Sequence, residues 1–339
     1  MILLGAAVGF VVTLLLCPLV IRELGRRTVL DTPVERSSHS VPTLRGGGLA
    51  PAIGACAGAV VASGSSSALL LVVAGVAAAF GTLGLMDDLA TVAARRRLLV
   101  QLLIAGVAVL PLASGVTSGA ALVLLTPVAW IWLVAYVNAF NFMDGINGIS
   151  AAQAVVAGTA WALVGVWQDE PVVAAGGLVI AAAALAFLPY NFPRAKVFLG
   201  DVGSYFLGGW LAAMVVVALG HGLTPEMAVA PVLLYLAETG TTLLRRIARR
   251  APLSEAHREH TYQQLVAGGW SHARTTGFVA AVITLSSLLG AATLAGDLAL
   301  RAGADVALVL LMVGYLMSPQ WQSRRNRLEA APASQRDRS

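Results

Sequence analysis

Apolar residues run along the chain in about eleven blocks, near 1–21, 47–64, 68–86, 98–114, 119–137, 147–167, 172–189, 203–220, 226–244, 275–296 and 303–318. Each approaches the ~20 residues that a helix needs to cross the ~30 Å hydrocarbon layer of a bilayer. The pattern predicts an all-α, polytopic membrane bundle of about 10–11 transmembrane helices. One segment breaks it. Asn138 to Ile149 crowds three amides, a carboxylate and two glycines between two apolar blocks. An unpartnered polar group in hydrocarbon costs several kcal/mol, so this segment is predicted to border water or line a wet cavity.

Composition agrees: 58% of the 339 residues are hydrophobic and only 12% are charged, too little polar surface for a soluble globule of this size. Charge placement adds an orientation. When connections are assigned to alternate sides of the blocks, only Arg301 of the 22 Lys and Arg residues falls on the opposite side from the rest. The positive-inside rule then places the N-terminus outside and the basic loops and C-terminus in the cytoplasm. The net charge of +5 follows from this bias. Basic residues are not interleaved with aromatics as a nucleic-acid surface requires, so that partner class is set aside. The first block has no basic residue before it and Arg22, Arg26 and Arg27 after it, the reverse of a secretory signal, and is predicted to be retained. Cys17 and Cys56 fall inside blocks without metal-binding spacing and read as apolar filler. Residues 1–320 are expected to form the membrane domain, and 321–339 a basic, disordered cytoplasmic tail.

Pairs of blocks separate the loops that begin at Arg22, Asp87, Asn138, Tyr190 and Arg245, so all five return to one face and can share one cavity. The first carries Arg36, Arg45 and the run Gly46-Gly47-Gly48, whose amides and charges suit phosphate; a plain Gly-rich entry into a span fits equally well. Asp87 and Asp88 close the third block, ahead of Arg95, Arg96 and Arg97. Adjacent helical residues point about 100° apart, so the two carboxylates are expected to divide their work, one towards a metal and one towards a reacting phosphate. A solvated helix end is the bland reading, against which stands the unfavourable dipole at a helix C-terminus. Arg194, Lys196, Phe198 and the run Gly200-Asp201-Val-Gly203-Ser204 offer a Mg2+ ligand in Asp201 and a base-stacking ring in Phe198. Asp201 serves as a simple helix cap in the alternative. The last loop holds His257, Arg258 and His260, able to bind or protonate phosphate oxygens, while Arg249 and Arg250 suit anionic lipid headgroups. Glu238 stands about two turns inside its block, where a charge is either functional or locally paired with Arg245 or Arg246.

Together, Asp31 to Gly48, the Asp87-Asp88 pair with Gln101, Asn138 to Gly148, Val197 to Ser204 and His257-Arg-Glu-His-Thr-Tyr-Gln263 resemble the polyprenyl-phosphate N-acetylhexosamine-1-phosphate transferase superfamily. The resemblance spans nearly the whole chain. It implies a helix bundle with a lipid groove, and transfer of a sugar 1-phosphate from a UDP-sugar to undecaprenyl or decaprenyl phosphate, with release of UMP and use of Mg2+ or, alternatively, Mn2+. By similarity, Asp87, Asp88, His257 and His260 take catalytic positions and Asp201 the metal position. Asn141, Asp144, Asn147, Asn191 and Phe198 fall at the nucleotide, and Arg36, Arg45, Arg97, Lys196 and Arg258 at phosphate. Arg97 replaces a frequent Lys, and Glu238 a frequent Asp. The peptidoglycan branch has consecutive histidines that this chain lacks, so the glycan-priming branch and a donor such as UDP-GlcNAc are expected. A homodimer is a further expectation.

A lipid phosphate has a second pKa of roughly 6 and is mostly dianionic at pH 7, so it needs charge neutralisation more than a general base. Direct attack on the donor is the reading this favours, with an aspartyl-phosphate intermediate as the rival. The competing class is a carrier or flippase. Carriers place polar sites near the midplane, whereas here the candidates gather at one face with Glu238 as the exception.

Overall fold

The computed structural model describes residues 1–32, 41–64, 68–90, 92–114, 117–252 and 258–330. Ten helical segments among them are long and apolar enough to cross a membrane. They are α1 (Ile2–Arg26), α3 (Leu69–Leu89), α4 (Ala94–Ser114), α5 (Gly119–Met143), α6 (Ile149–Trp167), α7 (Pro171–Asn191), α8 (Gly200–Gly220), the segment Pro225–Ala248, α12 (His272–Ala292) and α13 (Leu298–Ala330), the last counted as a span over Leu298–Arg324. The protein is therefore a multi-pass, all-α membrane bundle. The second apolar block departs from a full span. It forms α2 (Leu49–Ser63), whose 15 residues rise only about 22 Å, and it packs on α1 through Gly5, Gly9, Gly54 and Gly58.

The segment Pro225–Ala248 is broken into α9 (Pro225–Val229), a 3-10 turn at Ala230–Val232 and α10 (Leu233–Ala248). Pro231 cannot donate to a helical ladder, and side chains bind carbonyls at the break. Gln153 Nε2 donates to the Pro231 carbonyl and Ser286 Oγ to that of Ala230, both at 2.7 Å.

Helix α8 lies at the centre and is buried along nearly its whole length. Its fit against α3 depends on Gly84, because a Cβ there would collide with the Asp201 carbonyl. That close approach brings the C-terminal end of α3, with Asp87 and Asp88, onto the N-terminal end of α8. A small sheet completes the same end of the bundle. β1 (Leu30–Asp31) pairs antiparallel with β2 (Thr43–Arg45), which runs parallel to β3 (Val197–Phe198) with Arg45 opposite Phe198. The far end carries the ion pair Glu226–Arg301 at 2.8 Å and a Glu170–His221 hydrogen bond at 2.7 Å.

The last helix extends beyond the expected membrane boundary at 320. α13 continues to Ala330, and Gln322 and Asn326 donate to the Gly268 carbonyl at 2.7 and 3.2 Å, capping the short α11 (Thr261–Ala267). Residues 331–339 of the expected tail lie outside the described residues.

Candidate active site

The two carboxylates that end α3 diverge and take different partners. Asp88 Oδ1 and Oδ2 accept the backbone N–H groups of Asp201 and Val202 at 3.0 and 2.9 Å. These are free donors of the first turn of α8, so a carboxylate satisfies both their hydrogen bonds and the helix dipole. Gly200 makes this possible: its φ is +75°, and a Cβ would lie 2.6 Å from Asp88 Oδ2. Arg45 Nε adds an ion pair to Asp88 at 2.7 Å, and the Asp88 side chain is only 2% exposed. Asp88 thus anchors the site with both oxygens engaged.

Asp87 turns the other way. It accepts Val92 N–H and Arg97 Nη1, each at 2.6 Å, and its carboxyl is within hydrogen-bonding reach of that of Asp201. Asp201 in turn accepts Arg45 Nη2 on Oδ2 at 2.7 Å and Asn141 Nδ2 on Oδ1 at 2.9 Å. Asn141 also reaches Ser204 Oγ at 2.9 Å. Four segments distant in sequence therefore meet at two adjacent carboxylates flanked by two guanidinium groups. Burial works against the Arg45 charge, but Asp201 and Asp88 outweigh it and hold its pKa above the ordinary value.

Adjacent carboxyls repel unless they share a proton or a cation. This pair fits Mg2+, which is commonly held by one or two carboxylates with the remaining positions filled by water and substrate phosphate. Each carboxylate oxygen has two lone pairs, so the hydrogen bonds above leave acceptor capacity for a cation. Among the described residues no group of three or more His, Cys, Asp and Glu forms a self-sufficient metal cage.

The polar segment after α5 borders this cluster. Asp144 is half-buried, and burial pushes its pKa up to about 7 despite the Ser150 hydroxyl and the Arg45 charge, with Asp88 adding repulsion. Asn147 donates to the Pro193 carbonyl at 3.1 Å, and its own carbonyl accepts Thr276 Oγ at 2.8 Å. Asn191 is buried, with both ends of its amide engaged: Oδ1 accepts Gly148 N–H at 2.8 Å and Nδ2 donates to the Val197 carbonyl at 2.9 Å. Its side chain joins two loops rather than facing open space. Phe198 is half-buried beside Arg45. Lys196 is exposed and sits over the Tyr190 ring at 5.8 Å.

In the last loop Arg258 is exposed and His260 is buried. Arg36 and His257 lie outside the described residues. The local pairing open to Glu238 does not form. Arg246 binds Glu259 at 2.7 Å, and Glu238 instead accepts Thr261 N–H at 2.5 Å, because the last loop folds back over the end of its helix. Ser204 and Tyr262 lie in motifs quoted above but had no role assigned to them. Ser204, one helical turn after Asp201, steadies Asn141. The Tyr262 hydroxyl donates to the Phe142 carbonyl at 3.1 Å.

An apolar furrow of about 420 Å3 opens between α2, α3 and α8, lined by Ile53, Cys56, Thr82, Leu85, Val202 and Phe206 among others. On α3 its stripe of Ala78, Thr82 and Leu85 leads at helical spacing to Asp88.

Residues 70–219, which carry Asp87, Asp88, Asn141, Asp144 and Asp201, match the family described as glycosyl transferase family 4. The chain is 31% identical to a probable undecaprenyl-phosphate N-acetylglucosaminyl 1-phosphate transferase of Bacillus subtilis, over 78% of each protein. This chain belongs to glycosyl transferase family 4. A second relative is the phospho-N-acetylmuramoyl-pentapeptide-transferase of Desulforudis audaxviator, 32% identical over 85% of this chain and 98% of the relative. A third is the decaprenyl-phosphate N-acetylglucosaminephosphotransferase of Mycolicibacterium smegmatis, 33% identical over 71% of this chain and 70% of the relative. Family membership thus includes relatives from both the peptidoglycan and the N-acetylglucosamine branches.

Proposed function

We propose that this family 4 enzyme transfers N-acetylglucosamine 1-phosphate, or a close N-acetylated relative, from its UDP derivative to polyprenyl phosphate. An oxygen of the lipid phosphate attacks the sugar-bearing phosphorus, the diphosphate bridge to the nucleotide breaks, and UMP leaves with the bridging oxygen. No proton is consumed. The observation that carries the reading is the meeting of Arg45, Asp87, Arg97, Asn141 and Asp201 at one polar end of a membrane bundle, beside an apolar furrow.

Asp87 and Asp201 would hold Mg2+, which offsets the charge of the two phosphates and of the departing UMP. Arg45 pairs with Asp201 and Arg97 with Asp87, and the two guanidinium groups add positive charge where the phosphates collect. Asn141 fixes the Asp201 carboxylate, and Asp88 fixes the start of its helix. Asp88, almost wholly buried with one oxygen on each of two helix amides and Arg45 beside it, serves better as an anchor than as a nucleophile, which favours direct displacement. The furrow is suited to the prenyl chain nearest its phosphate. The excess of basic residues in the loops at this end supports a cytoplasmic orientation in a bacterial inner membrane, on the side where nucleotide sugars occur.

The sugar branch rests on the last loop, where His257 and His260 are separated by Arg258 and Glu259 rather than consecutive. A panel of donors offered to the detergent-solubilised protein with Mg2+ and polyprenyl phosphate tests this. UMP release from UDP-GlcNAc and not from UDP-N-acetylmuramoyl-pentapeptide is the expected result, and the opposite preference would move the chain to the peptidoglycan branch. A carrier role has less support, because its one midplane candidate, Glu238, is fully buried and bound to the last loop.

A further inference from the structure

Glu238 is fully buried on α10, inside a membrane-spanning segment where a carboxylate is costly unless it holds strong donors. Its Oε1 accepts Thr261 N–H at 2.5 Å and lies 3.5 Å from His260 Nδ1. Among the described residues no Lys or Arg pairs with it, the nearby Arg246 being bound to Glu259 and to the Pro252 carbonyl.

The helix that Glu238 holds, α11, has only seven residues, too few to be stable by itself. Its position must come from its anchors. Gln322 and Asn326 hold its C-terminal end, while Glu238 accepts the Thr261 N–H at the N-terminal end. From there the contacts lead to the catalytic cluster. The Tyr262 ring stacks on His260 at 5.8 Å, and its hydroxyl donates to the carbonyl of Phe142, the neighbour of Asn141 that binds Asp201. Gly145 provides the room, since a Cβ there would strike the Tyr262 hydroxyl.

We propose that Glu238 is a positioning residue for the transfer reaction: from inside the membrane span it seats His260 and the start of α11, and through Tyr262 it steadies the segment that carries Asn141. Its carboxylate touches no reacting atom. It acts through His260 and Tyr262, so its effect depends on theirs.

Two measurements test this on the full chain in detergent, and only the kinetic one rests on the transferase reading above. In the first, hydrogen exchange is followed in wild type and Glu238→Gln. The amides of α11 are expected to exchange about tenfold faster or more in the variant, with α3 and α8 unchanged. Unchanged exchange in α11 would overturn the proposal. Should the Gln variant fail to fold, Glu238→Asp, which withdraws the charge by one methylene, carries the same expectation and the same refutation. The second is a double-mutant cycle with His260→Gln. Each single change is expected to lower kcat about tenfold or more with little change in KM for polyprenyl phosphate, and the double variant to be no worse than the weaker single. Multiplying effects would show that Glu238 does not act through His260. A wild-type protein without turnover would refute the transferase reading and leave the exchange experiment to decide on Glu238.

Discussion

Asp87 and Asp201 come from different helices, yet their carboxyl groups lie within hydrogen-bonding reach of one another, flanked by Arg97 on one side and Arg45 on the other. Two carboxylates so close are stable together only with a shared proton or cation. The arrangement predicts that Asp201→Asn and Asp87→Asn each lower Mg2+-dependent turnover by about a thousandfold in protein that remains folded. Turnover assays against Mg2+ concentration, with thermal unfolding in detergent as the control, check this. Near-normal activity in Asp201→Asn would remove that residue from the metal site.

Asp88 has a different signature. It caps α8 and binds Arg45 while almost wholly buried, so Asp88→Ala leaves two helix amides without their partner and Arg45 with Asp201 alone. Loss of a cap costs ~0.5–2 kcal/mol and loss of one member of a buried ion pair ~3–5 kcal/mol; with Arg45 partly exposed, a total of about 2–4 kcal/mol is expected. A lower unfolding temperature accompanied by lost activity is the predicted outcome. For Asp87→Asn, activity falls with a much smaller thermal shift.

Asp144 gives the protein a pH-dependent stability. Burial raises its carboxyl from the ordinary value of 3.8 to about 7, so between these values the folded state holds a proton that the unfolded state has already lost. The stabilisation is fully present below the unfolded pKa and is lost as pH rises through about 7. Thermal unfolding of wild type and Asp144→Asn between pH 4 and 8 checks the sign. Wild type should lose stability relative to the variant up to pH ~7, after which the difference levels off.

The furrow between α2, α3 and α8 offers a test of acceptor binding. Cys56 lines it and is half-buried, whereas Cys17 is fully buried. Maleimide should therefore modify Cys56 first, and polyprenyl phosphate should slow that reaction while the nucleotide sugar alone does not. Filling the furrow with Ile53→Trp is expected to raise KM for polyprenyl phosphate several-fold and leave KM for the donor within about twofold. An increase confined to the donor would move the lipid path elsewhere.

The spans and the gathering of polar loops at one end were legible because both follow from patterns along the chain: block length, charge alternation and parity. Asp201 stood out for the same reason, as a carboxylate between glycines at the start of a block. What the sequence did not reveal is how side chains pair across the fold. The division of labour between Asp87 and Asp88 was expected in outline, but that Asp88 caps α8 depends on how closely α3 packs at Gly84. Asn191 sits in a motif that resembles a nucleotide pocket, yet its amide joins Gly148 to Val197, a contact visible only once α6 and β3 are neighbours. Glu238 invited a partner from its own helix, and its partner lies on a later loop that folds back over it. The shortness of α2 was hidden because the apolar block includes glycines that precede the helix.

Product analysis tests the central claim most directly. Purified protein incubated with UDP-GlcNAc, Mg2+ and polyprenyl phosphate should yield a lipid whose mass has increased by one N-acetylglucosamine and one phosphate, together with an equal amount of UMP. Release of UDP with a lipid carrying the sugar but no added phosphate would contradict the account, because the bond broken would then be the glycosidic one and not the diphosphate bridge.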